Sequence, residues 1–129
     1  MQNPIPMYIC AVHSFGLGIF HLTFWKIFHW KKELATCSVS VRAIVQIANI
    51  RLIYLFFLVG VLCLTFPDEL TNTPLGRALM IGISLFWLGR TVEQFIFLRY
   101  NRLLIHTLTI VFIFGFLAFA YPVFQSFGS

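Results

Sequence analysis

The segment LFWLGRTVEQFIF, residues 85–97, places Arg90 and Glu93 within an otherwise apolar, aromatic run. The run extends outward to about Arg77 and Leu98, and between those ends it holds no other charge. Crossing a bilayer takes roughly 20 residues of helix, and this run meets that length. It lacks the alternation of a strand. A helix satisfies its own backbone hydrogen bonds, so it can carry such a run through lipid. Arg90 and Glu93 stand at i, i+3 and project from one side, where they can pair.

The rest of the chain repeats this pattern. Of 129 residues, 60% are apolar and only 10% are charged, against roughly a quarter charged in soluble domains. A soluble domain of this size could not hide so much apolar surface. Apolar runs of spanning length fall at about 8–28, 43–66, 77–98 and 103–121. KKELATCSVSVR, PDELTNTPLG and RYNR separate them, and Pro67 and Pro74 mark the middle break as a loop. Pro122 ends the last helix or kinks its final turn. The expected fold is all-α: an integral membrane four-helix antiparallel bundle with short loops, occupying 1–129 as one four-span domain. The first run has no basic leader and carries two histidines, so it reads as a span and not as a cleaved signal peptide.

Basic residues orient the spans. Lys26, Lys31, Lys32 and Arg42 bracket the first loop against Glu33, and Arg99 and Arg102 hold the third. Asp68 and Glu69 stand in the second, with Arg77 beyond them. Loops 29–42 and 99–102 are therefore expected in the cytoplasm, with both termini outside, in a bacterial cytoplasmic membrane. Trp25 and Trp30 fit the aromatic belt at the cytoplasmic face. The net charge of +5 is mostly topology, and its expected partner is the lipid bilayer and not nucleic acid.

Rise per residue converts position into depth. Counted from the cytoplasmic ends, His21 lies roughly 10 Å in, Asn49 roughly 9 Å and Arg51 roughly 12 Å. Arg90 lies about 12 Å in, Glu93 about 8 Å with Gln94 slightly shallower, and His106 about 5 Å. Each span thus contributes to a polar layer in the cytoplasmic half. Charged groups at membrane depth are costly unless paired and usually face protein. Asn49 and Arg51 are about 200° apart around their helix, so only one can point inward. Gln94, four residues beyond Arg90, joins the Arg90 face. Gly82 and Gly89 would let another helix approach, and Ser14 with Gly18 forms a small-residue pair on the first helix.

The candidate ligand-binding set is His21, Asn49, Arg51, Arg90, Glu93, Gln94 and His106. Two arginines against one glutamate suit an anionic or amphipathic small ligand, with binding the first expectation and transport an extension of it. The alternatives are an accessory subunit of a larger membrane complex or homo-oligomer, and a haem- or quinone-binding anchor. Haem would fall on His13, His21 and His106; no carboxylate joins them for a mononuclear metal site. No nucleophile stands at motif spacing from a base, no CxxC is present and no phosphate-binding glycine loop occurs. The pattern points away from catalysis.

Overall fold

The structure is a computed structural model describing residues 3–98 and 101–128; Arg99 and Tyr100 of the third loop lie outside the described residues. It is all-α, and no strand occurs among the described residues. Four helices are long and apolar enough to cross a membrane: α1 (Ile5–Leu22), α2 (Val39–Thr65), α3 (Pro74–Phe97) and α4 (Leu103–Phe127). They are the elements of a membrane-embedded four-helix fold. Short helices at Phe24–Ile27, Trp30–Glu33 and Pro67–Asn72 and a 3-10 turn at Leu34–Thr36 lie in the first two connections.

Several helix ends differ from the apolar runs, for local reasons. α1 begins at Ile5 despite Pro4 and Pro6, because proline is tolerated in a first turn whose N–H groups have no helical partner. The Asn3 side-chain oxygen accepts from Ile5 N (3.1 Å). The first helix stops at Leu22 and does not run on to 28. His29 then takes a left-handed conformation (φ 50°) between the two short helices that follow. Histidine is among the residues enriched there. At the start of α3, Thr73 accepts from Gly76 N (3.0 Å) and Pro74 occupies the first turn.

The chain forms two compact units, Ala11–Leu62 and a second that joins the first ten residues to those from Cys63 onward. In the first unit, α1 and α2 pack closely. A Cβ added at Gly60 would meet the Phe15 ring at 2.8 Å, and one at Gly18 the Phe57 ring at 3.0 Å. Partner numbers fall along α2 as they rise along α1, so the helices are antiparallel. Gly18 of the small-residue pair is thus a true contact point.

In the second unit, α3 buries Gly76, Met80, Ser84, Trp87, Thr91 and Gln94. This seam runs in steps of three or four, and beyond Gly76 it faces α4. There Phe112, Gly115, Phe119 and Val123 are buried, while Ile110, Phe114, Leu117 and Phe124 stay exposed. Apolar residues on both sides are what a helix between protein and lipid requires. Trp87 stacks on Phe112 (5.4 Å between centroids) and Ser84 Oγ donates to Phe116 O (2.8 Å). At the far end, Arg77 Nε donates to Thr71 O (3.0 Å) and Ser126 Oγ (3.2 Å), and its guanidinium lies over the Phe127 ring. Gly76 packs where a Cβ would collide with Glu69 O and Leu70 Cα.

α4 continues through Pro122 to Phe127. Proline has no N–H, so it leaves the carbonyl four residues back, Ala118 O, without its helical donor. Cys10 Sγ donates to that oxygen at 3.1 Å. Freed carbonyls in membrane helices need such substitutes, since no water reaches them. Cys10 and Cys63 are both free and buried.

Two outcomes follow. Cys10→Ala is expected to cost about 0.5–1.5 kcal/mol in reversible unfolding, and clearly less in a Pro122→Ala background, where Ala118 O regains a backbone donor; equal costs in both backgrounds contradict the substitution. Gly60→Ala lowers the melting temperature, whereas Gly82→Ala, which meets nothing within 4 Å, leaves it unchanged or raises it by helix propensity.

Candidate functional site

The residues expected to form a polar layer fall into three groups. On the first unit, His21 and Asn49 form a reciprocal pair. Asn49 Nδ2 donates to His21 O (3.0 Å), which fixes the amide and turns its oxygen toward the imidazole. His21 Nδ1 then donates to Asn49 Oδ1 (2.8 Å). The ring is also stacked on Phe24 and edged by Phe56. Asn49 is buried while Arg51 is exposed near Tyr54, in keeping with their angular separation on α2.

The second group is Arg90 and Glu93 on α3. Arg90 Nη1 donates to Glu93 Oε1 at 3.2 Å, the only ion pair among the described residues. The guanidinium also lies 4.7 Å from the Phe112 ring centroid. Glu93 satisfies Arg90 within the helix that carries both. The side chains are 33% and 52% exposed, so the pair lies on the outer face of α3 and is not a buried clamp. A Cβ added at Gly82 or Gly89, the glycines expected to admit another helix, would meet no other part of the described chain within 4 Å.

The third group stands apart from Arg90. Gln94 turns from Glu93 into the α3–α4 seam and is only 1% exposed. Its Nε2 donates to Ile105 O at 3.1 Å. Thr109 Oγ1 donates to the same carbonyl at 2.9 Å. With its amide N–H turned toward that oxygen, Gln94 keeps Oε1 buried and without a hydrogen-bond partner. An unmade bond of this kind costs about 1–3 kcal/mol. Gln94 lines a cavity of about 490 Å³ at the loop end of the hairpin, with Phe95, Leu98, Asn101, Ile105, His106 and Thr109. His106 Nε2 lies 2.8 Å from Asn101 Oδ1.

The structure therefore brings Gln94 and His106 to one cavity and joins His21 to Asn49 and Arg90 to Glu93 as closed pairs. Asn101 and Thr109 join Gln94 and His106 at that cavity. Thr109 stands four residues after Ile105, whose carbonyl binds it, but nothing in that spacing signals a cavity. His13 is buried on the first unit. Comparison with family models, with characterised proteins and with solved structures found no match. The class this chain defines is an all-α membrane protein with a largely apolar cavity, edged by a few polar side chains, at one hairpin end.

The ion pair makes a specific prediction. Glu93→Leu and Arg90→Leu each leave one charge of the pair without its partner, while the double substitution removes both. In a double-mutant cycle on thermal unfolding in detergent, coupling of about 0.5–1 kcal/mol is expected for this half-exposed pair. Additive single effects would mean that the observed contact contributes nothing.

Proposed function

We propose that this protein binds a small amphipathic molecule, with a hydrogen-bond-donating head, in the cavity lined by Gln94, Thr109 and His106. The observation that carries the reading is the buried, unpartnered Oε1 of Gln94. A membrane protein gains nothing from an unanswered acceptor in a dry seam, and a ligand hydroxyl or amine would complete it. Thr109 commits its hydroxyl hydrogen to Ile105 O, so what it offers a ligand is acceptor capacity. Phe95 and Leu98 supply the apolar wall for the remainder of the molecule. The volume of about 490 Å³ falls in the usual range for small-ligand sites, about 300–1,000 Å³.

This reading narrows the anionic or amphipathic ligand expected from composition to an amphipathic donor. Arg90 meets Glu93 and the Phe112 face, and Arg51 lies beside Tyr54, so neither calls for an anion in this cavity. The basic loops support a cytoplasmic placement for the loop end of the hairpin. Ligand exchange there would take place near one membrane surface.

Dodecanol and its methyl ether, which lacks the donor, provide the test in phosphatidylcholine nanodiscs. The readout is the side-chain amide NMR signal of Gln94. Wild type is expected to bind the alcohol about tenfold more tightly than the ether, a difference of about 1.4 kcal/mol. Gln94→Leu, which removes the orphaned oxygen while remaining folded, abolishes that preference, read from competition with a labelled alcohol. Equal binding of the two probes by wild type rules the proposal out.

A further inference from the structure

The first unit holds a second cavity, of about 580 Å³, lined in part by Trp25, Lys26, Trp30, Lys31, Arg42 and Gln46. We propose that this cavity is a binding site for the phosphate headgroup of an anionic membrane lipid. It is separate from the Gln94 cavity and does not depend on that reading.

Charge is the first argument. Three cations line the cavity and no acidic residue does. The one ion pair among the described residues, Arg90 with Glu93, involves none of them. Arg42 is held by neutral partners: Nε donates to Leu34 O (3.1 Å) and Nη2 to Cys37 O (3.1 Å). Backbone carbonyls orient the guanidinium and leave its full charge in place. Phosphate is among the oxyanions such a group recognises, and it is the one that membrane lipids carry.

Construction is the second. The left-handed turn at His29 redirects the chain, and the Arg42 bonds anchor Leu34 and Cys37 to the first turn of α2. Trp25 Nε1 donates to Gln46 Oε1 (3.0 Å), and Gln46 Nε2 donates to Arg42 O (3.1 Å). Trp30 packs edge-on against Trp25 (5.4 Å between centroids). Two indoles thus form a fixed aromatic wall beside the cations, the composition favoured at a membrane–water interface. These bonds shape the cavity before any ligand arrives.

Position is the third and selects a lipid over a soluble phosphate. Val39, three residues before Arg42 on the same side of α2, and Ile27, next to Lys26, are exposed. Acyl chains can lie along this surface while the headgroup sits among Lys26, Lys31 and Arg42. A free phosphate would gain the charge contacts but not the apolar ones.

The test uses the full chain in phosphatidylcholine nanodiscs containing a few per cent phosphatidylglycerol, released for native mass spectrometry. Wild type is expected to retain phosphatidylglycerol in preference to phosphatidylcholine. Lys26→Gln/Lys31→Gln lowers that retention about tenfold or more, with helicity unchanged because both positions are exposed. Lys32→Gln, on the same segment but not lining the cavity, retains the lipid as wild type does. Inorganic phosphate at millimolar concentration does not displace it. Loss of retention in Lys32→Gln equal to that in the double variant would reduce the site to diffuse surface charge and overturn the proposal. Displacement by inorganic phosphate overturns the lipid as the ligand, and so does equal retention of the two lipids by wild type.

Discussion

A polar group at membrane depth has no water to turn to, so every donor and acceptor must be answered by the chain itself or by something bound to it. The two units show this constraint at work. Pro122 removes one donor from α4, and the thiol of Cys10 replaces it at Ala118 O. Asn49 enters the α1–α2 contact with both ends of its amide engaged by one residue, His21. Ser84 and Thr91 on α3 place their hydroxyls on carbonyls, one across to α4 and one back along their own helix. Each bond removes a cost that an aqueous protein would pass to solvent.

Where the chain does not answer a group, the exception points to binding. Gln94, a residue lining one cavity, spends an amide N–H on Ile105 O and leaves Oε1 buried without a partner. Lys26, Lys31 and Arg42 surround another cavity without a carboxylate among its lining residues. The first site holds an unanswered acceptor and the second unanswered cations, and the two proposed ligands differ accordingly. Arg90, the more conspicuous residue in the sequence, is by contrast already met by Glu93 and an aromatic face. A charge that attracts notice in an apolar run can be the one that is internally satisfied.

The connections do as much as the spans. His29 in its left-handed turn and the carbonyl bonds of Arg42 shape the cavity between the first two spans. Arg77, which reads in the sequence as a loop charge, holds Thr71, Ser126 and the Phe127 ring together at the other end of the second unit. Its contribution is structural, made through hydrogen bonds and a cation–π contact that reach 49 residues along the chain.

Sequence alone determined the all-α class and the four membrane-length helices, because length and apolar composition suffice where lipid is the solvent. It also placed Asn49 and Arg51 on opposed sides of α2, since helical period is local. It could not show that Gln94 parts company with Glu93. Adjacent residues lie 100° apart on a helix, and which of them meets α4 depends on the seam through Trp87 and Thr91. Nor could it show that Arg42 would be oriented by Leu34 and Cys37, or that a cysteine near the first turns of α1 would answer a proline in α4. Those outcomes depend on groups brought together from distant positions in the chain, and only tertiary packing decides which polar atoms are left without a partner.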